Sequence, residues 1–471
     1  MISCVAGRGA GSLSVCSLCD GSAVALCVET EILVAIRDGA EEEAVVVLCG
    51  GQIVRGMSFL RAPDERLCLV SGGDGKFIAV QDVSSARRAN AHSLQLGNAT
   101  VDNATLLFRS RPHTKRITHV AVCDGATVLF ADKFGEVFRL QLVWKTGTGL
   151  ALASDEVVHV FLLQHFSVLT TFFVSSAIPW IGCGNKGPTP DPFPRRRLFT
   201  CDRDCHARVS LYPETFRIEQ YLWTGAPQSV VTAIAEIQCQ VEERRYSHFA
   251  VGNRNGWVHL WTADNATGAV GDASTTPFVP SGSFIEEDAR TSGAGAVLSV
   301  VHASVHAGEV HGRGEVALSQ GILVAYEGAR DVLFVLLEED GTGGKLSLSG
   351  CCALRVGLES PPLAMVGLGG DRAMVLQRSG RVQVVRLAYA ESCVSARVCE
   401  ESWLRGLSNL TQRQLGALLG STDPFSQWNY DTVDPRTRRR GRSDFSEGGD
   451  VDTEDGDAVD CPVDAMKKTR T

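Results

Sequence analysis

Thiols, imidazoles and clustered glycines are where chemistry would be sought first in this chain. Gly7-Arg8-Gly9-Ala10-Gly11 has the glycine density of a phosphate-cradling loop. No apolar strand precedes it and no helical stripe follows, so the setting that aims backbone N–H groups at phosphate is missing. Cys16 and Cys19 stand at metal-ligand spacing without a second pair, and Cys201, Cys205 and His206 gather near one turn. Structural zinc wants four convergent ligands, and a turn between strands accounts for the second group more simply. There is no nucleophile elbow, kinase set or dinucleotide fingerprint. The expectation is a scaffold, with no catalytic residue and no metal site.

The most informative stretch is 198–219, LFTCDRDCHARVSLYPETFRIE. Leu198 and Phe199 lead into the turn Cys201-Asp202-Arg203-Asp204, and residues 207–212 return with period-two alternation. That pattern predicts a β-hairpin. Asp202 and Asp204 read as staples of the turn, because a carboxylate accepts from nearby N–H groups. Arg208, just past the turn, is harder to assign to structure, since an arginine at a sheet rim suits a partner's carboxylate.

Similar hairpins recur along the chain. They pair 32–36 with 44–49, 67–71 with 76–82, 127–131 with 136–142, the stretch above, 249–252 with 257–261, 322–326 with 332–337, and 373–377 with 382–387. Glycine-bearing turns join most of them, as the positive φ of such turns requires. Seven hairpins, each preceded by another apolar segment, predict an all-β, seven-bladed β-propeller of the WD40 type, which closes on itself and leaves no long open edges. The apolar run 23–29 is expected to complete the last blade. The turns lie further apart than the roughly 40–45 residues of a WD repeat, so insertions are expected at 84–112, 175–197 and 263–292.

Glycine is plentiful (48 residues) and aromatics are few (7%), which suits short strands and tight turns. The net charge is -9, yet residues 444–471 hold nine acids against three bases, leaving about -3 for the rest. Such a body has no strong overall footprint for nucleic acid. The N-terminus resembles no signal peptide, so the sixteen cysteines read as reduced small hydrophobes. Residues 160–181 lack charge and are long enough to span a bilayer, but glutamine, histidine, proline and several hydroxyls interrupt them.

After residue 390 the pattern changes. Trp403, Leu404, Leu407, Leu410, Leu415, Leu418 and Leu419 make a helical stripe, suited equally to the propeller's own surface or to a partner. Arg436, Arg438, Arg439, Arg440 and Arg442 form a basic run that suits RNA phosphates. The expected plan is a propeller over 1–390, a helical and basic extension over 391–443, and a disordered acidic tail over 444–471.

Three segments go beyond a generic propeller. Lys115-Arg116-Ile117-Thr118 followed by Val128-Leu129-Phe130-Ala131-Asp132-Lys133-Phe134-Gly135-Glu136-Val137 resembles the third blade of the WD-repeat, non-catalytic subunit of eukaryotic tRNA (guanine-N7) methyltransferase. Residues 163–170, LQHFSVLT, are similar to that family's Leu-Gly-His segment. In 198–219, Asp202-Arg203-Asp204, Arg208-Val209, Tyr212-Pro213 and Ile218-Glu219 fall in the family's order. Tyr430-Asp431 and the basic run resemble its C-terminal extension more weakly.

The resemblance implies a chain that binds and stabilises an S-adenosylmethionine-dependent catalytic subunit as a heterodimer and helps present tRNA, with no cofactor of its own, no membrane, and the nucleus as its place of work. It assigns the contact to the third and fourth blades, at Lys133, Arg203 and Arg208, with His206 where the family tends to carry a base. Gln164 replaces the usual glycine, Gly225-Ala226 replaces Gly-His, and 175–197 is inserted before the contact hairpin. The alternative is a generic WD-repeat scaffold of another complex.

Overall fold

Runs such as Val-Leu-Phe-Ala and Ala-Met-Val-Leu, bounded by tight turns, favour pleated strands because β-branched and aromatic side chains pack well on a half-buried sheet. In a computed structural model these runs form seven antiparallel blade sheets arranged as a seven-bladed β-propeller, with a further two-stranded ribbon of Glu338–Asp340 and Lys345–Ser347. The structure describes residues 3–5, 13–18, 20–37, 44–84, 106–145, 149–153, 159–177, 195–224, 228–241, 244–264, 278–284, 295–306, 318–340, 345–348, 353–390 and 393–419. The basic run and the acidic tail lie outside them.

The second blade has strands Val54–Arg61, Leu67–Gly73, Ile78–Asp82 and Leu106–Arg109. The fourth has Leu169–Val174, Arg196–Asp202, Ala207–Tyr212 and Ile218–Leu222. In the third, the long strand Glu136–Lys145 takes two short partners, Val160–Gln164 along its first half and Gly149–Leu152 along its second. All seven expected hairpins pair. Residues 160–164 and 169–174 are strands of two different blades, and no helix among the described residues is long and apolar enough to cross a membrane.

The core lies between the sheets. Val209 and Leu222 of the fourth blade pack with Val251 and Trp261 of the fifth, and Leu129 and Val137 of the third with Leu198 and Tyr212 of the fourth. At roughly 1.5–3 kcal/mol per fully buried large apolar side chain, these shared layers hold the ring.

Ring closure differs from the expectation. Ala23–Val28 does not complete the last blade; it pairs with Leu13–Ser17 and Glu31–Ile36 inside the first. The turn between Val28 and Glu31 carries Glu29 at φ 58 and no glycine, which hid this hairpin in the sequence. The last blade instead takes its outer strand from Cys393–Cys399, so the seventh sheet runs beyond residue 390. The first and last blades therefore meet as neighbours, without a shared sheet. Ser17 Oγ donates to the Gly367 carbonyl at 2.6 Å, and Gly21, at φ 66, lies so close to the Leu368 carbonyl that a Cβ would fall 1.7 Å from its oxygen.

Helix α1 (Ser402–Leu419) spans this seam. It rests on Val382–Ala390 of the seventh blade and on Glu31–Ile36 and Ala44–Cys49 of the first. Its stripe buries Trp403, Leu404, Leu407 and Leu415, and Ser408 Oγ accepts from the Val382 N–H. Gly380, at φ 82, leaves room for the helix, since a Cβ there would meet the Gln412 backbone at 2.6 Å. The apolar face is spent on the propeller itself.

Candidate functional site

The third, fourth and fifth blades share one turn design. Asp132 Oδ1 accepts from the N–H groups of Phe134 (2.8 Å) and Glu136 (3.1 Å). Asp202 Oδ1 does the same for Asp204 and His206, both at 2.9 Å, and Asn253 Oδ1 for Asn255 and Trp257, both at 3.0 Å. Each side chain thus satisfies two N–H groups that the tight turn leaves without a ladder partner.

The second oxygen ties each turn to the segment entering its blade. Asp132 Oδ2 faces His113 Nε2 at 3.4 Å; Asp202 Oδ2 faces His165 Nδ1 at 3.0 Å, and His165 Nε2 meets Thr200 Oγ1 at 2.8 Å. In the fifth blade the partner changes type: the Asn253 amide donates to the Thr224 carbonyl at 2.8 Å. An amide can donate where a carboxylate cannot, so the Asn253–Thr224 bond does the work of an aspartate–histidine pair. Gly225-Ala226 lies outside the described residues.

Burial pushes the Asp202 carboxyl up, but hydrogen bonds from His165 and the His206 N–H and the neighbouring imidazole charges more than offset it, so it lies below its ordinary range. Asp132 is lowered for the same reasons, with His113, Phe134 and Glu136 as its partners.

His165 joins two blades. Its N–H donates to the Gly135 carbonyl of the third-blade turn at 3.0 Å, while its ring holds the fourth-blade turn. Lys133 and Arg203 are accordingly brought to neighbouring turns, both exposed. Lys133 N–H donates to the Arg116 carbonyl and Arg203 N–H to the Val168 carbonyl, which fixes both backbones. His206 is half exposed, with Nδ1 3.1 Å from Asp202 Oδ2. Asp204 supplies its N–H, and not its carboxylate, to the turn.

Arg208 is placed differently from a rim anchor. Its Nε donates to Ser210 Oγ and its guanidinium to the Thr215 carbonyl, both at 2.8 Å, while Thr215 Oγ1 donates to the Leu162 carbonyl of the third blade at 2.7 Å. Burial lowers its pKa, with Tyr221 opposing. Arg208 is thus built into the junction of the two blades. Arg436, Arg438, Arg439 and Arg440 lie outside the described residues.

Sequence reasoning missed the apolar part of the surface. Among the described residues, every exposed large hydrophobic lies between Leu106 and Trp223. Phe134 (47% exposed) stands on the third-blade turn and Phe166 (100%) in the connection from the third blade to the fourth, next to His165; Phe161, Phe216, Ile218, Tyr221 and Trp223 run along the outer strands of the third and fourth blades and their flanks. Such a concentration marks an interaction surface. Its one signal in the sequence is His165-Phe166-Ser167-Val168, four residues between two strands, where an aromatic has no core to enter. No group of three or more metal-capable side chains occurs among the described residues.

The comparisons with known proteins agree with the motif. The chain is similar to the tRNA (guanine-N(7)-)-methyltransferase non-catalytic subunit TRM82 of Kluyveromyces lactis, at 25% identity over 26% of this chain and 24% of that one. It is similar to the Eremothecium gossypii TRM82 subunit at 29% identity over 26% and 22%, and to the Drosophila erecta subunit wuho at 27% over 34% of each. The chain thus matches about a quarter to a third of the length of these curated relatives. No family model matches. Among solved structures, the propeller domain of Myceliophteria thermophila Cps50 (Swd1) aligns with 79% of this chain and 95% of its own at 10% identity and a TM-score of 0.44. The resemblance is to WD-repeat, non-catalytic tRNA methyltransferase subunits, and the fold is a seven-bladed propeller.

Proposed function

We propose that this chain is the non-catalytic scaffold subunit of a tRNA (guanine-N7) methyltransferase, which binds and stabilises an S-adenosylmethionine-dependent catalytic subunit in a heterodimer. The observation that carries this is the exposure of Phe134 and Phe166 beside Lys133, Arg203 and His206, on the two turns and the connection between their blades that hold the family's motif. An apolar centre rimmed by long cations suits a protein partner with carboxylates at its edge. The cofactor belongs to the partner, tRNA is engaged through the complex and the Arg436–Arg440 cations, and the nucleus is the compartment. No membrane is involved.

The test is co-purification of the tagged full chain, wild type beside Arg203→Glu/Phe166→Asp. A methyltransferase should arrive with the wild type and be lost with the variant at an unchanged melting temperature, and the chain alone should transfer no methyl group. Arrival of an unrelated assembly would make this a generic WD-repeat scaffold; a methyltransferase retained by the variant would move the interface elsewhere. Arg208→Glu is the poorer probe, because it would also break the Ser210 and Thr215 bonds.

A further inference from the structure

On the rim next to that interface, cations gather without acids. Segment 110–116 runs from the last strand of the second blade to the first strand of the third, and crosses between their turns. The His113 N–H donates to the Lys76 carbonyl at 2.5 Å, and the Arg116 carbonyl accepts from Lys133, so the second-blade turn, the crossing segment and the third-blade turn are one surface. It carries Lys76, Arg109, Arg111, Lys115, Arg116 and Lys133, all exposed except the half-buried Lys115. Arg109 covers the Phe77 ring at 3.7 Å; Lys115 and Lys133 approach the same Phe134 ring at 4.9 and 5.0 Å.

The carboxylates facing this group are already engaged or set back. Asp74, whose charge Arg116 feels, is ion-paired with Arg55; Asp132 is buried against His113; Glu136, which feels Lys115, is half buried. Among the described residues none of the six cations has a carboxylate within the 4.0 Å of an ion pair. Four arginines of the sixth and seventh blades are placed differently. Arg355 pairs with Asp331, Arg372 with Glu401, Arg381 with Glu359 and Glu400, and Arg386 with Asp371. Those four arginines are neutralised, as are Arg55, Arg61 and Arg66 of the second blade, whereas the six cations of this rim are not, although the net charge is -9.

We propose that this rim of the second and third blades is a binding track for the phosphodiester backbone of RNA. Long cations that do not answer to nearby acids fit a row of regularly spaced phosphates, whereas a protein partner's contact fits the neighbouring aromatic patch, whose centre is apolar. The choice of RNA rests on the proposed role in RNA modification; the anionic character of the ligand rests on the charges alone.

The experiment is the salt dependence of binding of the full chain to a fluorescein-labelled, unmodified tRNA transcript. It compares wild type, Arg111→Glu/Lys115→Glu/Arg116→Glu, the milder triple change of the same residues to glutamine, and Arg355→Gln/Arg386→Gln on the ion-paired side. At roughly 0.7–0.9 counterions per phosphate, six contacts give a log–log slope of about four to five. The glutamine triple should weaken binding at least tenfold and lower the slope by about two to three; the ion-paired control should leave both unchanged. RNA binding equal in the wild type and the glutamine triple, or no RNA binding by the wild type, overturns the track. Loss of methyltransferase co-purification in the same triple, with RNA binding intact, would assign the rim to an acidic protein. Co-purification by the triple alongside lost RNA binding separates the track from the partner interface.

Discussion

The junction of the third and fourth blades and the seam between the seventh and first blades solve the same problem, joining one sheet to the next, by different means. At the first junction polar groups add to the apolar layer between the sheets: His165 binds the Gly135 carbonyl of one turn and the Asp202 carboxylate of the other, and Arg208 reaches the Thr215 carbonyl beside it. At the seam an amphipathic helix does it, with Trp403, Leu404, Leu407 and Leu415 buried. The difference has a functional cost and a functional gain. A polar staple is small and leaves Phe134 and Phe166 uncovered, whereas the helix buries its apolar stripe against its seam. Where the ring is held by buried charge, its surface is available to a partner.

Removing each device should sharpen that contrast. Leu407→Ala takes a fully buried side chain out of the seam and should lower stability by about 2–5 kcal/mol, read as a fall in the urea midpoint. If the helix were an ornament, the midpoint would not move. The variant should leave methyltransferase co-purification intact wherever the protein remains folded.

Asp202→Asn keeps the shape of the fourth-blade turn but removes the charge that His165 and His206 face. A loss of about 1.5–3 kcal/mol is expected at neutral pH. Because the folded-state pKa of Asp202 is depressed, its contribution is present above the unfolded carboxylate value, near 3.9, and is lost as pH falls through the lower folded value. The wild type and Asp202→Asn should therefore converge in stability on acidification below about pH 4. A constant gap across pH would mean that the charge does not matter. The corresponding Gln377 of the seventh blade bonds the Ser360 N–H and Gln383 without any ionised group, so Gln377→Ala should show no such acid limb.

The smallest effect is expected at Cys205, which adopts φ 69 where the corresponding positions of the third, fifth and seventh blades hold Gly135, Gly256 and Gly380. Cys205→Gly should gain up to about 1 kcal/mol by relieving the left-handed strain, reduced by the lost contacts of a half-buried thiol. A destabilised variant would show that the thiol's packing outweighs the strain.

Much of this was legible in the sequence. All seven hairpins came from period-two alternation between turn residues, and the motif residues identified the third and fourth blades, because strand patterning and Asx turns are local and their chemistry lies within a few residues. The hairpin across Glu29-Thr30 escaped for the converse reason: its left-handed residue is a glutamate, and no local rule marks it. The sequence by itself thus determined how many blades there are, which turns carry aspartate and which segments carry the family likeness. Tertiary structure decided the rest. It set Ala23–Val28 into the first blade, turned α1 onto the seam, tied Thr215, which Arg208 holds, to Leu162 of the third blade, and brought Phe134, Phe166 and the cations of residues 76–133 to adjoining turns. Those outcomes depend on which sheets become neighbours, and therefore on contacts between residues far apart in the chain, such as Ser17 with Gly367.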